Sequence, residues 1–287
     1  MTLTPRQVRD AITAAGLRPS KALGQNFVAD PNTVRRIARL AEIVPGQRVV
    51  EIGAGLGALT LALVEVGARV TAIEVDPHLL PTLRATVSDA PVRVLEADAL
   101  TLDWARLLAD TDDGIAAAPP PSWTLVANLP YNVAVPVIVR VLDEAAAVTS
   151  MLVMVQREVG ERLVAEPGSK TYGAVSVKVA YHASARLVGR VPPSVFVPRP
   201  RVESVLVRLD RRPAVLVDPA TVSPKRLFQV VRAGFAHRRK MLRRALDGVV
   251  APSAYAAAGI DPSARAEQLS VEDFGRLAAA DAAGADP

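Results

Sequence analysis

The chain has 287 residues, half of them apolar, with a formal net charge of +5; that suffices for one large domain or one domain with a small appendage, built on a substantial core. It has no cysteine, which excludes disulfides and thiolate metal sites and fits a reducing cytoplasm. Charges interrupt every apolar run short of membrane-spanning length, and His78, His182 and His237 stand too far apart to form a ligand set, so neither a membrane nor a metal is expected.

Residues 1–9 carry charge with no apolar stretch behind it and are not expected to be a secretory signal. Asp30-Pro31 predicts a helix start, cap then proline, and Val34, Ile37 and Leu40 follow at helical spacing. After Pro45-Gly46, residues 48–52 read as a short buried strand ending in Gly53-Ala54-Gly55-Leu56-Gly57, with an apolar helix behind it to about Val66. A second strand, 69–75, ends in Glu74 and Asp76, and Pro77 is expected to start the next helix. A third, 92–95, ends in Glu96-Ala97-Asp98; a fourth, 123–127, ends in Asn128-Leu129-Pro130-Tyr131. Alternating strands and helices predict a parallel α/β sheet covered on both faces, with polar residues gathered past the carboxyl ends of the strands, where such sheets bind ligands.

Residues 110–122, rich in Ala, Pro and Asp, look like a surface insertion. Residues 175–181 alternate like a strand but could equally hold a helix. A linker is expected at 211–219 and short helices beyond it, with Ser270 and Asp273 as a capping box and 278–287 as a frayed tail. Between Lys225 and Arg244 stand eight Lys or Arg and no acid; a solvated helix face normally carries acidic neighbours, so this run suggests a polyanionic partner.

Glycines 53, 55 and 57 allow a tight turn and close approach to a ligand at a helix N-terminus. Alone, this turn serves dinucleotide enzymes or simple packing equally well. Glu74 can bind both hydroxyls of a ribose. Asp98 separates the candidates, because a carboxylate there can accept from a cofactor's adenine amino group, whereas a nicotinamide dehydrogenase needs none. Glu96 competes for that role, but strand alternation turns it away. In Asn128-Leu129-Pro130-Tyr131, a side-chain amide oxygen and the Pro130 carbonyl can accept the two N–H bonds of an adenine amino group, and Tyr131 can stack on the base. Held so, the nitrogen lone pair turns out of conjugation toward a methyl donor; a plain Asn-Pro turn is the competing reading.

Several further segments carry a resemblance: Lys21-Ala22-Leu23-Gly24-Gln25-Asn26-Phe27-Val28; the loop from Glu51 to Thr60; Gln156-Arg157-Glu158-Val159; Ser169-Lys170-Thr171-Tyr172-Gly173; Phe196-Val197-Pro198-Arg199-Pro200-Arg201-Val202-Glu203-Ser204; and 235–244, expected as a basic helix. With the tetrapeptide, these closely resemble the bacterial ribosomal RNA small-subunit methyltransferase A family. The resemblance implies a Rossmann-like S-adenosylmethionine-dependent methyltransferase domain, 1–211, and a small helical RNA-binding domain, 212–287. It implies dimethylation of two adjacent adenosines in the 3′-terminal hairpin of 16S ribosomal RNA, within a small subunit or its precursor, by a cytoplasmic monomer. Asn26, Val28, Gly53, Gly55, Glu74, Asp98 and Asn128 would hold the cofactor. Asn128, Pro130, Tyr131 and Phe196 would hold the target base, with Phe196 closing a sandwich against Tyr131. Arg238, Arg239, Lys240 and Arg243 would bind RNA. The rivals are a resistance-type methyltransferase of large-subunit ribosomal RNA and a non-catalytic ribosome assembly factor.

Overall fold

A computed structural model describes residues 2–14, 16, 25–109 and 122–283. Residues 21–24 of the family-like N-terminal segment, the expected insertion except Ser122, and the last four residues of the expected tail lie outside them. In chain order the first elements are α1 (Pro5–Ala14), β1 (Phe27–Val28), α2 (Pro31–Leu40), β2 (Arg48–Ile52), α3 (Ala58–Glu65), β3 (Arg69–Glu74), α4 (Leu80–Thr86), β4 (Val92–Glu96), α5 (Trp104–Ala109), β5 (Trp123–Asn128), α6 (Ala134–Glu144) and β6 (Val148–Gln156). They are followed by α7 (Arg157–Leu163), α8 (Ala174–His182), β7 (Ala183–Val191), β8 (Phe196–Val197), β9 (Ser204–Arg211), α9 (Pro224–Ala236), α10 (Leu242–Ala245), α11 (Pro252–Ala258) and α12 (Val271–Ala283).

Seven strands form one sheet in the order β4-β3-β2-β5-β6-β9-β7. The five from β4 to β6 run parallel, and β9 returns antiparallel to β6. The chain steps outward from β2 to β4, then crosses back to β5 on the other side of β2. A crevice therefore opens between the carboxyl ends of β2 and β5, the switch point at which doubly wound sheets bind ligands. Strands β2 and β5 are almost wholly buried, as expected of parallel strands covered on both faces. Val49, Val70, Ala72, Val126, Leu152 and Leu206 form the centre of that core. A separate two-stranded ribbon pairs β1 with β8.

The contacts divide the chain into two compact units, Met1–Gly160 with Arg186–Arg211, and Glu161–Ala185 with Arg212–Pro287. This differs from a single cut after Arg211, because Tyr172, Val177 and Tyr181 bury themselves with Leu227, Phe228, Val230 and Val231. Residues 175–181 are helical, in α8. Val177, Val179 and Tyr181 are all buried, so burial, not a strand face, produces the alternation. Pro77 does not begin a helix. The Asp76 carboxylate accepts from His78 N (3.0 Å) and its carbonyl from Leu79 N (3.1 Å), holding a turn that delays α4 to Leu80. Residues 278–283 are not frayed but continue α12, with Ala278 fully buried. That helix does begin on the expected box, Ser270 N to Asp273 at 2.8 Å and Asp273 N to Ser270 Oγ at 3.1 Å.

Candidate active site

At the switch point lies an open cleft with a cavity volume of about 100 Å³. Gly53, Gly55, Glu74, Asp76, Asp98, Asn128, Pro130 and Tyr131 all line it, together with Gln25 and Asn26 from the segment before β1. Its floor is the glycine turn. Gly55 has φ +59°, a conformation that favours glycine, and a Cβ there would stand 3.1 Å from the Phe27 ring, which would have to give by a few tenths of an ångström.

Glu74 fastens that turn. One carboxylate oxygen accepts from Gly55 N (2.8 Å), the other from Val75 N and Asp76 N (3.0 Å each). Burial raises its pKa while these backbone donors pull it down. Asp98 stands past β4 at the cleft, exposed; one of its oxygens accepts from Leu100 N (2.8 Å). Glu96, its competitor, is exposed on β4 and is not part of the lining. The Asp98 turn is held from behind: the Trp104 indole donates to Ala99 O (3.2 Å), and the Arg140 guanidinium donates to the carbonyls of Leu100 and Leu102.

Across the cleft, Asn128 ends β5. Its amide nitrogen donates to Asn26 O (3.0 Å). Only the NH2 end of the amide can make that bond, so the amide oxygen is left as the acceptor. The Pro130 carbonyl receives Val133 N (3.1 Å) and keeps a second lone pair. The Tyr131 hydroxyl pairs with Ser204 Oγ at 2.8 Å; burial of the ring raises the phenol. Ser204, fully buried at the start of β9, thus fixes the aromatic wall.

Among the described residues the lining contains three carboxylates and no Lys, Arg or His. Such a cleft repels a pyrophosphate and suits a ligand bearing positive charge.

Over residues 17–281 the chain matches the family described as ribosomal RNA adenine dimethylase. The chain belongs to that family. Among its relatives, it is 50% identical to ribosomal RNA small subunit methyltransferase A of Kineococcus radiotolerans, across 96% of this chain and 91% of that protein. The protein of the same name from Thermobifida fusca is 48% identical, across 96% and 95%. Among solved structures, the 23S rRNA methyltransferase ErmE is 28% identical with a TM-score of 0.66, covering 90% of this chain and all of that one. A dimethyladenosine transferase from Plasmodium falciparum, at 21% identity and TM-score 0.70 over 86% and 94%, has the same fold.

The adenine dimethylase is an enzyme with a Rossmann-like α/β fold and a set of C-terminal helices, and its cofactor is S-adenosylmethionine. The cleft fits that cofactor. Its acidic lining suits a sulfonium and an ammonium, Asp98 has a carboxylate oxygen without a partner among the described residues, and the glycine turn leaves room for close approach. When bound, the cofactor supplies an electrophilic methyl group.

Not every expected residue reaches this cleft. Val28 is buried in β1 and faces an adjoining recess with Gly53, Gly55 and Asn128. Phe196 is 3% exposed, pairs through β8 with Val28, and packs into the core, outside the lining of the cleft. Residues 235–244 are not one basic helix but the end of α9, a turn and α10, as Arg238, Arg239 and Lys240 follow the last helical residue, Ala236. Arg238, Arg239, Lys240 and Arg243 are all exposed, though Arg238 is bonded to Glu267 (2.7 Å) and to the Lys170 carbonyl.

Ser204, Asn26 O as the partner of Asn128, and the Gln25–Asp76 bond (2.7 Å) escape a residue-by-residue reading. Their partners lie 73, 102 and 51 positions away in sequence.

Proposed function

We propose that this dimethylase transfers methyl groups to N6 of two adjacent adenosines in the 3′-terminal hairpin of 16S ribosomal RNA, giving N6,N6-dimethyladenosine, and that it acts in the cytoplasm as a monomer on a small subunit or its precursor. In this reading Asn26, Val28, Gly53, Gly55, Glu74 and Asp98 hold the cofactor. The observation that carries it is the Asn128 amide at the cleft, whose nitrogen is taken by Asn26 O so that its oxygen is left to accept. That oxygen and the Pro130 carbonyl accept the two amino protons of an adenine whose ring lies on Tyr131. Fixing both protons aims the nitrogen lone pair at the methyl group, so the residues act by orientation and not by proton abstraction. The methylated nitrogen then releases its proton to water. Relatives 42–50% identical that carry the small-subunit name support this target. Likeness to ErmE makes large-subunit RNA the second reading. Among the described residues no helix is long and apolar enough to cross a membrane, in keeping with a ribosomal substrate.

The deciding experiment incubates the protein with S-adenosylmethionine and undermethylated small subunits and maps methylated nucleosides by mass spectrometry. Dimethyladenosine in the terminal hairpin is expected. Its appearance in large-subunit RNA alone would move the target, and no methyladenosine in either would leave an assembly factor.

A further inference from the structure

The loop 198–203 is tied at both ends to the walls of the cleft. At its start, Val197 pairs with Phe27 in the β1–β8 ribbon, and Phe27 lines the cleft beside Asn26. At its end, Ser204 holds the Tyr131 hydroxyl at 2.8 Å. Six residues span at most ~20 Å, so the loop stays within reach of these two anchors at the cleft. Pro198 and Pro200 lock two of its φ angles, which reduces the entropy lost when it meets a partner.

Its charge is one-sided. The loop's acid, Glu203, is paired with Arg157 at 3.2 Å, and its carbonyl accepts Arg157 N at 3.0 Å. Arg199 and Arg201 are exposed and make no side-chain hydrogen bond or ion pair among the described residues. Two solvent-exposed arginines therefore stand in a stiffened loop anchored at both ends to a cleft whose own lining is acidic. A nucleotide whose base enters such a cleft leaves its 5′ and 3′ phosphates at the rim, where a planar guanidinium can take them bidentately. The acidic interior repels those phosphates, so the base is the part that goes in.

We propose that Arg199 and Arg201 form a phosphate clamp that grips the RNA backbone on either side of the target nucleotide. The clamp rests on the reading of the cleft as the seat of an RNA adenine. It sets the depth and register of the base against Asn128, and it is separate from the basic run at 225–244.

The test measures RNA affinity across salt concentrations, RNA KM and kcat, and cofactor Kd, for wild type, R199Q/R201Q and R199K/R201K, with RNA containing the terminal hairpin. The Gln pair should raise KM at least tenfold and lower the log–log salt slope by about 1.4, the release expected for two phosphates on a single strand. Cofactor Kd should stay within twofold and kcat within threefold. The Lys pair, which keeps the charge, should recover the slope and most of the KM. Unchanged slope and KM in the Gln pair overturn the clamp. If the Gln pair loses cofactor binding, and hence its fold, the single substitutions R199Q and R201Q must each show about half the slope change, or the clamp is wrong. The underlying reading fails differently: wild type would yield no methyladenosine, whatever the variants do to affinity.

Discussion

Asn128 shows how little a residue's identity settles until its second partner is known. An asparagine amide offers two donors on one side and an acceptor on the other, and the bond to Asn26 O engages the nitrogen and leaves the oxygen as the acceptor. Asn128→Ala removes the acceptor and should lower kcat at least a hundredfold, with cofactor Kd changed no more than a few-fold; near-normal turnover in a single-turnover assay would refute the role. Glu51 is a different case. It is wholly buried beneath the glycine turn, with the Thr60 hydroxyl donating to it at 2.6 Å, and burial pushes its pKa up to about 8, with the Glu74 charge adding to the rise. In the unfolded chain it titrates near 4.5, so between those two values the folded protein holds a proton that the unfolded chain has released. Stability therefore falls as pH rises through that window and levels off above it. Glu51→Gln keeps the shape without the titration, so its melting temperature relative to wild type should climb from pH 5 to pH 8.5. A constant offset across that range would show that Glu51 is not the group responsible.

Single elements carry the site by their ends. The parallel strands β2, β3, β4 and β5 deliver the glycine turn, Glu74, Asp98 and Asn128 to one edge; this much was legible in the sequence, since each strand is a short apolar run stopped by polar residues. What holds those ends in place was not. On α6, Arg140 pairs with Glu144 (2.9 Å) and donates to the Leu100 and Leu102 carbonyls, so one helix clamps the turn that presents Asp98. From β9, Arg211 caps the far end of the same helix through Leu142 O (3.0 Å), Val141 O (3.1 Å) and Ala145 O (3.2 Å), satisfying carbonyls left open at any helix C-terminus. Arg140→Met should loosen the Asp98 turn and weaken cofactor binding by roughly fivefold, the equivalent of about 1 kcal/mol for a hydrogen-bonded contact. Asp98→Ala should weaken it further. An isothermal titration in which Arg140→Met binds as wild type would detach α6 from the cofactor site.

At the scale of the whole molecule, charge is divided between regions. The cleft lining is acidic, while residues 225–244 hold eight basic residues and no acid. Not all of those eight are available. Arg226 is tied to Asp281 and to Gln229 (2.8 Å), and Arg238 to Glu267, so both stabilise their own unit. Arg239, Lys240 and Arg243 are exposed, and of the three only Arg243 has an acid close enough to feel, Asp261, among the described residues. Replacing those three by Gln should lower the salt slope of RNA binding by about 2 to 2.7, for single-stranded or duplex contacts respectively, with little change in melting temperature. A slope equal to wild type would mean that this stretch does not touch phosphate.

The sequence by itself determined the features that depend on neighbours in the chain. These are the Asp30 and Ser270 caps, the glycine turn, the acids that end β3 and β4, and the tetrapeptide after β5, because backbone geometry and side-chain chemistry act over a few residues. The tertiary structure alone decided that Asn26 orients Asn128, that Ser204 fixes Tyr131, that Phe196 lies in the core, and that Glu161–Ala185 joins the second unit. Those contacts join positions tens of residues apart. Periodicity cannot reveal them, because only the order of strands in the sheet brings such residues within hydrogen-bonding distance.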